Sequence, residues 1–348
     1  MTSIRRGLGE SERNICRRAR MTYLPKIGIT LGDPAGIGPE IVGKSLSEPA
    51  IFDVCRPVVI GRKMDLAVGW DQSVLFQKIE IIEPIESVIR PIPGQESADT
   101  GRIAAASIEK SWELLRTAKI DAVVTAPISK RALKLAGYPY PGHTEFYAAL
   151  SGTSKFAMSF FAGNLRVVLL STHLQLRKAL DLVRRDAVAD LIRLADCELG
   201  NLLGRKLRLA VAGVNPHASE NGLFGDEEIK EIAPAIEACR REAIDVVGPF
   251  SPDTVFLRCQ KGEFDAVIAM YHDQATIPVK SLAFGESVNV TLGLPFVRTS
   301  VDHGTAFDIA GKNIADASSM RASILLAAEL ISSRIPDRNH IASDENNS

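Results

Sequence analysis

Five of the chain's six histidines stand where chemistry could gather. His173 in STHL, His217 in NPHA, His272 in YHDQ and His303 in VDHG each follow a predicted strand, and His143 in PGHTEF sits in a turn. A lone imidazole is more often a hydrogen-bonded core residue than a ligand. Several at the ends of different parallel strands converge on one rim, which favours a shared site. Imidazoles bind a borderline divalent metal such as zinc and leave a position for a carboxylate or water. Asp253 in GPFSPDT and Asp273 beside His272 are the candidate carboxylates. The ligands would come from distant segments, so spacing does not select among them, and no HExxH motif is present.

A second group could bind an anion: Lys130, His143, Thr144, Lys280, Asn289 and Arg298. A surface lysine is usually only solvated. Arg298 is different, because apolar residues flank it between GLPFV and TSVDHG. A basic group in such a setting calls for a carboxylate or phosphate partner. The formal net charge is −1, so no bulk field draws nucleic acid or an anionic membrane, and an anionic substrate must be caught by local groups.

The elements that must position these groups follow from short β-branched runs: KIGIT, RPVVI, KIEII, DAVVT, RVVLLST, LRLAVAG, DAVIAM and SVNVTLG. Between them, GRIAAASIEKSWELLRTA and DAVADLIRLADCEL carry apolar residues at helical spacing. Alternation of helices with nearly all-apolar strands predicts a parallel sheet covered on both faces. Loops at the carboxyl ends of its strands should then hold the functional residues. The polar clusters GDPAGIGPE, TAPISK, STH, NPHASENGLFGDEE and YHDQ do each follow a predicted strand. GDPAGIGPE has G-x-G at Gly36 and Gly38, but Ile41 stands where a dinucleotide fingerprint needs its third glycine. Pro39 suits the first turn of a helix, so the segment reads as a tight strand-to-helix turn.

The 348 residues suit two α/β domains, with 46% hydrophobic and 24% charged residues. Five cysteines are scattered without a CxxC, as in a reduced, cytoplasmic protein. No apolar run approaches the ~20 residues of a membrane span. Residues 1–24 read as a disordered leader and 336–348 as a flexible tail.

Taken together, GDPAGIGPE, TAPISK, PGHTEF, STH, NPHASENGLFGDEE, GPFSPDT, MYHDQ and SVNVTLGLPFVRTSVDHGTAFDIAG resemble the 4-hydroxythreonine-4-phosphate dehydrogenase family, from about Lys26 to about Ala328. GIGPE and HGTAFDIAGKNIA are also similar to segments of isocitrate and isopropylmalate dehydrogenases, where the second wraps the cofactor's adenosine. The resemblance implies two α/β/α domains around a cleft, isopropylmalate dehydrogenase-like and not a Rossmann fold. Residues 25–128 with 281–335 would form the nucleotide side, and 129–280 the metal and dimer side. It implies a homodimer with one divalent cation (zinc, magnesium or cobalt) at each subunit-interface site, and NAD or NADP as cofactor. His173, His217 and His272 would be metal ligands, with Asp253 nearby or ligating. His143, Thr144, Lys280, Asn289 and Arg298 would contact substrate. His303, Gly304, Thr305 and Asp308 would lie near the cofactor, and Lys130 or Asp273 would relay a proton. The implied reaction oxidises 4-hydroxy-L-threonine 4-phosphate at C3 to a β-keto acid that loses CO2 to give 3-amino-2-oxopropyl phosphate, on the way to pyridoxal 5'-phosphate. D-Threonate or D-erythronate 4-phosphate is the alternative substrate, and a metal-dependent phosphohydrolase the rival from another class.

Overall fold

The computed structural model describes residues 23–66, 79–282 and 287–334. The leader, the tail and the first residue of KIEII lie outside these residues. The strands are β1 (Lys26–Thr30), β2 (Arg56–Ile60), β3 (Glu80–Ile82), β4 (Ala122–Thr125), β5 (Ala157–Ala162), β6 (Leu165–Leu169), β7 (Leu209–Ala212), β8 (Val246–Phe250), β9 (Ala266–Ala269), β10 (Val288–Leu292) and β11 (Val297–Ser300). The helices are α1 (Gly38–Leu46), α2 (Pro49–Val54), α3 (Ala98–Arg116), α4 (Lys130–Leu135), α5 (His143–Ser151), α6 (Leu176–Asp181), α7 (Arg185–Leu203), α8 (Ala233–Arg241), α9 (Val255–Gln260), α10 (His272–Leu282) and α11 (Ser318–Arg334).

All described strands join one sheet in the order β3-β2-β1-β4-β11-β10-β5-β6-β9-β7-β8. It runs unbroken from the strands before Ile128 to those beyond. The expected parallel sheet is corrected to a mixed one. The outer strands pair in parallel, but β10 is antiparallel to both β11 and β5, and β5 is antiparallel to β6. For β5–β6 and β10–β11 the reason is loop length. Residues 163–164 join β5 to β6 and residues 293–296 join β10 to β11, and connections that short cannot make a parallel crossover. AMSFFA, VVGPF and VRTS form three strands beyond the expected eight.

Both faces are covered, as expected. On one, Ile27, Ile29, Val124, Val290 and Val297 pack with residues of α1, α7 and α11. On the other, Val123, Leu294 and Phe296 pack with Ile108 of α3 and with Phe146 and Tyr147 of α5. Further along that face, Val167, Ala210 and Val267 meet Phe256 of α9 and Val279 of α10. Successive strand residues alternate between faces. Thr125, two residues on from Val123, and Asn289 and Thr291, the neighbours of Val290, therefore look toward α5.

Candidate active site

The turn after β1 holds three loops together. Asp33 N–H donates to the Pro127 carbonyl, and Ile37 N–H donates to the Thr305 carbonyl at 3.0 Å. Gly94 N–H donates to Ala35. A Cβ at Gly38 would strike the Leu31 carbonyl oxygen, and one at Gly32 (φ +71°) would strike that of Pro127. The glycines are there for close protein packing, in keeping with a strand-to-helix turn, and Pro39 opens α1. Glu40 accepts from Ala315 N–H at 2.7 Å, and Lys44 donates to Glu40 and to the Asn313 and Ala315 carbonyls. GIGPE and HGTAFDIAGKNIA are thereby fastened to each other. Asp33, which the sequence reading passed over, is fully buried and accepts from Ala35 N–H and from Thr100 Oγ1. Burial pushes its carboxyl up to about 6, against these hydrogen bonds and with help from the charge of Glu96.

Arg298 is 3% exposed on β11. Its Nη1 donates to Thr291 Oγ1 (2.7 Å) and Thr144 Oγ1 (3.2 Å), and its Nη2 donates to Thr125 Oγ1 (2.9 Å). The guanidinium carbon lies 5.9 Å from the Tyr147 ring centre, a cation–π distance. None of the described ion pairs includes Arg298. Burial lowers its pKa to about 10, with Tyr147 and Glu145 opposing. Beside it, burial first and the Arg298 charge second hold His143 well below the ordinary imidazole value. Arg298 Nε, His143 Nε2 and Asn289 Oδ1 are enclosed with no hydrogen-bond partner. Gly142 gives α5 no side-chain cap, so the first turn of this helix, which carries His143 and Thr144, receives no acceptor from its N-cap side chain. Four of the expected substrate residues (His143, Thr144, Asn289 and Arg298) thus share one face of the sheet and the helix end above it. The fifth, Lys280, is exposed on α10.

His173 and His272 meet with ring centres 5.4 Å apart. His173 follows β6 and His272 opens α10 after β9; the two strands are parallel neighbours, so their carboxyl ends coincide. His272 Nδ1 bonds Asp273 Oδ1 at 2.7 Å, which leaves Nε2 free. Desolvation, then the charges of Lys130 and His272, lower the His173 pKa. Lys130 is the first residue of α4, whose N-cap Ser129 also bonds Glu96. Among the described residues, no three His, Cys, Asp or Glu side chains gather closely enough to hold a metal ion.

His217 follows β7 in a strained turn. His217 to Asn221 all have positive φ, between 45° and 64°, a conformation costing non-glycine residues roughly 1–2 kcal/mol each. Buried Glu228, on a π-helical turn, accepts from the Val214 and Asn215 N–H groups at 2.7 Å. Gln274 ties this loop to the histidine pair, donating to the Gly213 carbonyl and accepting from Met270 N–H. His217 and Asp253 are exposed, and Asp253 accepts from Ser251 Oγ. After β11, His303 Nδ1 bonds the Gly304 carbonyl and its Nε2 is unpartnered; Gly304 and Asp308 are exposed.

With this geometry in view, the comparisons with known proteins are specific. The family described as "Pyridoxal phosphate biosynthetic protein PdxA" matches residues 53–327. D-threonate 4-phosphate dehydrogenase of Pectobacterium atrosepticum is 45% identical over 87% of this chain and 98% of its own. 4-Hydroxythreonine-4-phosphate dehydrogenase of Desulfosudis oleivorans is 44% identical over 89% of this chain and 97% of its own. The crystal structure of 4-hydroxythreonine-4-phosphate dehydrogenase from Klebsiella pneumoniae superposes with a TM-score of 0.79, at 42% identity, covering 88% of this chain and 99% of that one. These relatives are named dehydrogenases, and the chain is an oxidoreductase of that type. The chain belongs to the PdxA family.

Proposed function

We propose that the protein oxidises the secondary alcohol of a four-carbon acid phosphorylated at C4, with NAD or NADP as hydride acceptor and one divalent cation (zinc, magnesium or cobalt) per site. Arg298 carries the reading. It is a buried cation whose described hydrogen bonds all go to neutral hydroxyls, with its Nε and the Nε2 of His143 unpartnered beside it. A buried charge without a counter-charge is costly, and a bound phosphate supplies one. Arg298, Thr144 and His143, with Lys280 and Asn289, bind and orient the substrate, which lowers the barrier by positioning.

The histidine pair fits a cation. Asp273 engages His272 through Nδ1, the usual support of a metal-binding imidazole, and the lowered pKa keeps His173 in the neutral form that metals need. When bound, the cation supplies polarisation of the alcohol, and the nicotinamide takes the hydride. Lys130, beside His173, or Asp273, on His272, relays the alcohol proton. His303, Gly304, Thr305 and Asp308 border the nucleotide.

His217 and Asp253 complete the ligand set across a homodimer. Leu174, Leu176, Leu180 and Leu182 lie exposed just after His173, and Leu223 and Phe224 just after His217. Exposed apolar groups clustered at a functional rim favour a subunit contact. Cys55, Cys197, Cys239 and Cys259 are free thiols, which suits the cytoplasm.

With 4-hydroxy-L-threonine 4-phosphate the β-keto acid product loses CO2 to give 3-amino-2-oxopropyl phosphate for pyridoxal 5'-phosphate synthesis. The 45% identity to D-threonate 4-phosphate dehydrogenases supports a second reading with the same residues and a C2 hydroxyl in place of the amine. The test is NAD(P) reduction by the purified, cation-loaded protein offered 4-hydroxy-L-threonine, D-threonate and D-erythronate 4-phosphates in parallel. The preferred acid selects the reading. Reduction with none of them overturns it.

A further inference from the structure

The hydroxyls around Arg298 extend beyond Thr144. Thr291 stands on β10 next to Val290, which pairs with Thr299 of β11, so Thr291 faces Arg298 across the antiparallel ladder. Thr125 ends β4, the strand on the other side of β11. Both are buried, at 4% and 0% exposure. Each accepts one guanidinium N–H, and neither has any other side-chain hydrogen bond among the described residues. A carboxylate at either place would bond Arg298 equally well and cancel its charge. A hydroxyl fixes the guanidinium and leaves the charge intact. An O–H whose oxygen accepts from a cation is also a stronger donor, and its proton remains free for an anion.

We propose that Thr125 and Thr291 are positioning and specificity residues, a neutral hydroxyl cradle that holds Arg298 uncompensated for a phosphate with several oxygens to satisfy. The inference rests on the anion-binding reading of Arg298 given above. It accounts for the joint choice of threonine on two different strands beside apolar packing: Val123 precedes Thr125 on the same face, and Leu294 and Phe296 follow Thr291.

The test uses the full chain with cation and nucleotide present. Inorganic phosphate binding is titrated directly, and KM and kcat are measured for the phosphorylated substrate. Thr125→Val and Thr291→Val keep the shape and remove the hydroxyl. Each is expected to weaken phosphate binding and raise substrate KM about tenfold or more, with kcat at saturation and the KM for nucleotide within about threefold of the parent. Thr→Ser at the same positions is expected to restore both. A merely structural role predicts a loss of melting temperature without this KM-against-kcat split. If the valine variants do not fold, Thr→Ala read against Thr→Ser replaces them. Equal phosphate affinity in the hydroxyl-bearing and hydroxyl-free variants, with Arg298→Ala still losing phosphate, overturns the cradle and leaves the reading of Arg298 standing. Equal affinity in the parent and Arg298→Ala overturns both.

Discussion

At the scale of single residues, Arg298 and Asp33 illustrate two uses of burial. Arg298 is a cation held by neutral hydroxyls, and the proposed function expects its effect to show in substrate affinity. Arg298→Ala is expected to raise KM for the phosphorylated acid by the worth of a charge-assisted contact, roughly 1.5–3 kcal/mol, and to leave the KM for nucleotide unchanged. Steady-state kinetics with each substrate varied in turn checks this; equal rises in both would place Arg298 elsewhere. Asp33 is a carboxyl whose ionised form the fold disfavours. Its folded pKa of about 6 exceeds the ordinary 3.8, so between these values the native protein holds the proton more tightly than the unfolded chain. Stability therefore falls as pH rises through that window, and at pH 7 the buried carboxylate costs on the order of 3 kcal/mol. Asp33→Asn is expected to raise the denaturant midpoint at pH 7 and to change it little at pH 4; the same gain at both would contradict this. Arg298 was legible because a lone arginine between apolar runs is unusual. Asp33 was hidden inside a glycine-rich turn whose backbone drew the attention, and Thr125 and Thr291 look like ordinary strand residues. A period of two would have exposed Thr291, since it shares a face with Asn289.

At the scale of elements, the loops after parallel strands were readable. Polar runs that follow apolar β-branched runs have few other places to go in a sheet covered on both faces. Less readable were Thr125 and Thr291, which lie within strands, because a strand's polar residue announces a site only when the covering helix is known. The antiparallel centre was missed because AMSFFA carries no β-branched residue and VRTS is only four residues long with a charge inside it. The turn after β1 is the firmest packing constraint. Gly38→Ala would press a methyl onto the Leu31 carbonyl and is expected to destabilise by more than about 3 kcal/mol, well beyond the ~1 kcal/mol or less by which alanine is otherwise the better helix residue. Thermal unfolding of the variant measures it, and a melting temperature equal to the parent's would show that the turn can yield.

At the scale of the whole molecule, one sheet carries the Arg298 cluster on β10, β11 and β4, and an imidazole pair at the ends of β6 and β9. A dehydrogenase of a phosphorylated hydroxy acid needs both in one site. If the homodimer supplies the remaining ligands, a charge in its apolar contact must weaken assembly and cation binding together. Leu176→Glu with Leu180→Glu is expected to give a monomer by sedimentation and at least about a tenfold loss of cation affinity by calorimetry; a monomer with unchanged affinity would refute the shared site. The most direct measurement is kcat/KM for NAD(P) reduction with the phosphorylated acid and with the same acid lacking phosphate. The expected result is a preference of at least about a hundredfold for the phosphorylated acid, largely abolished in Arg298→Ala. Equal kcat/KM for the two acids in the parent protein would contradict the account.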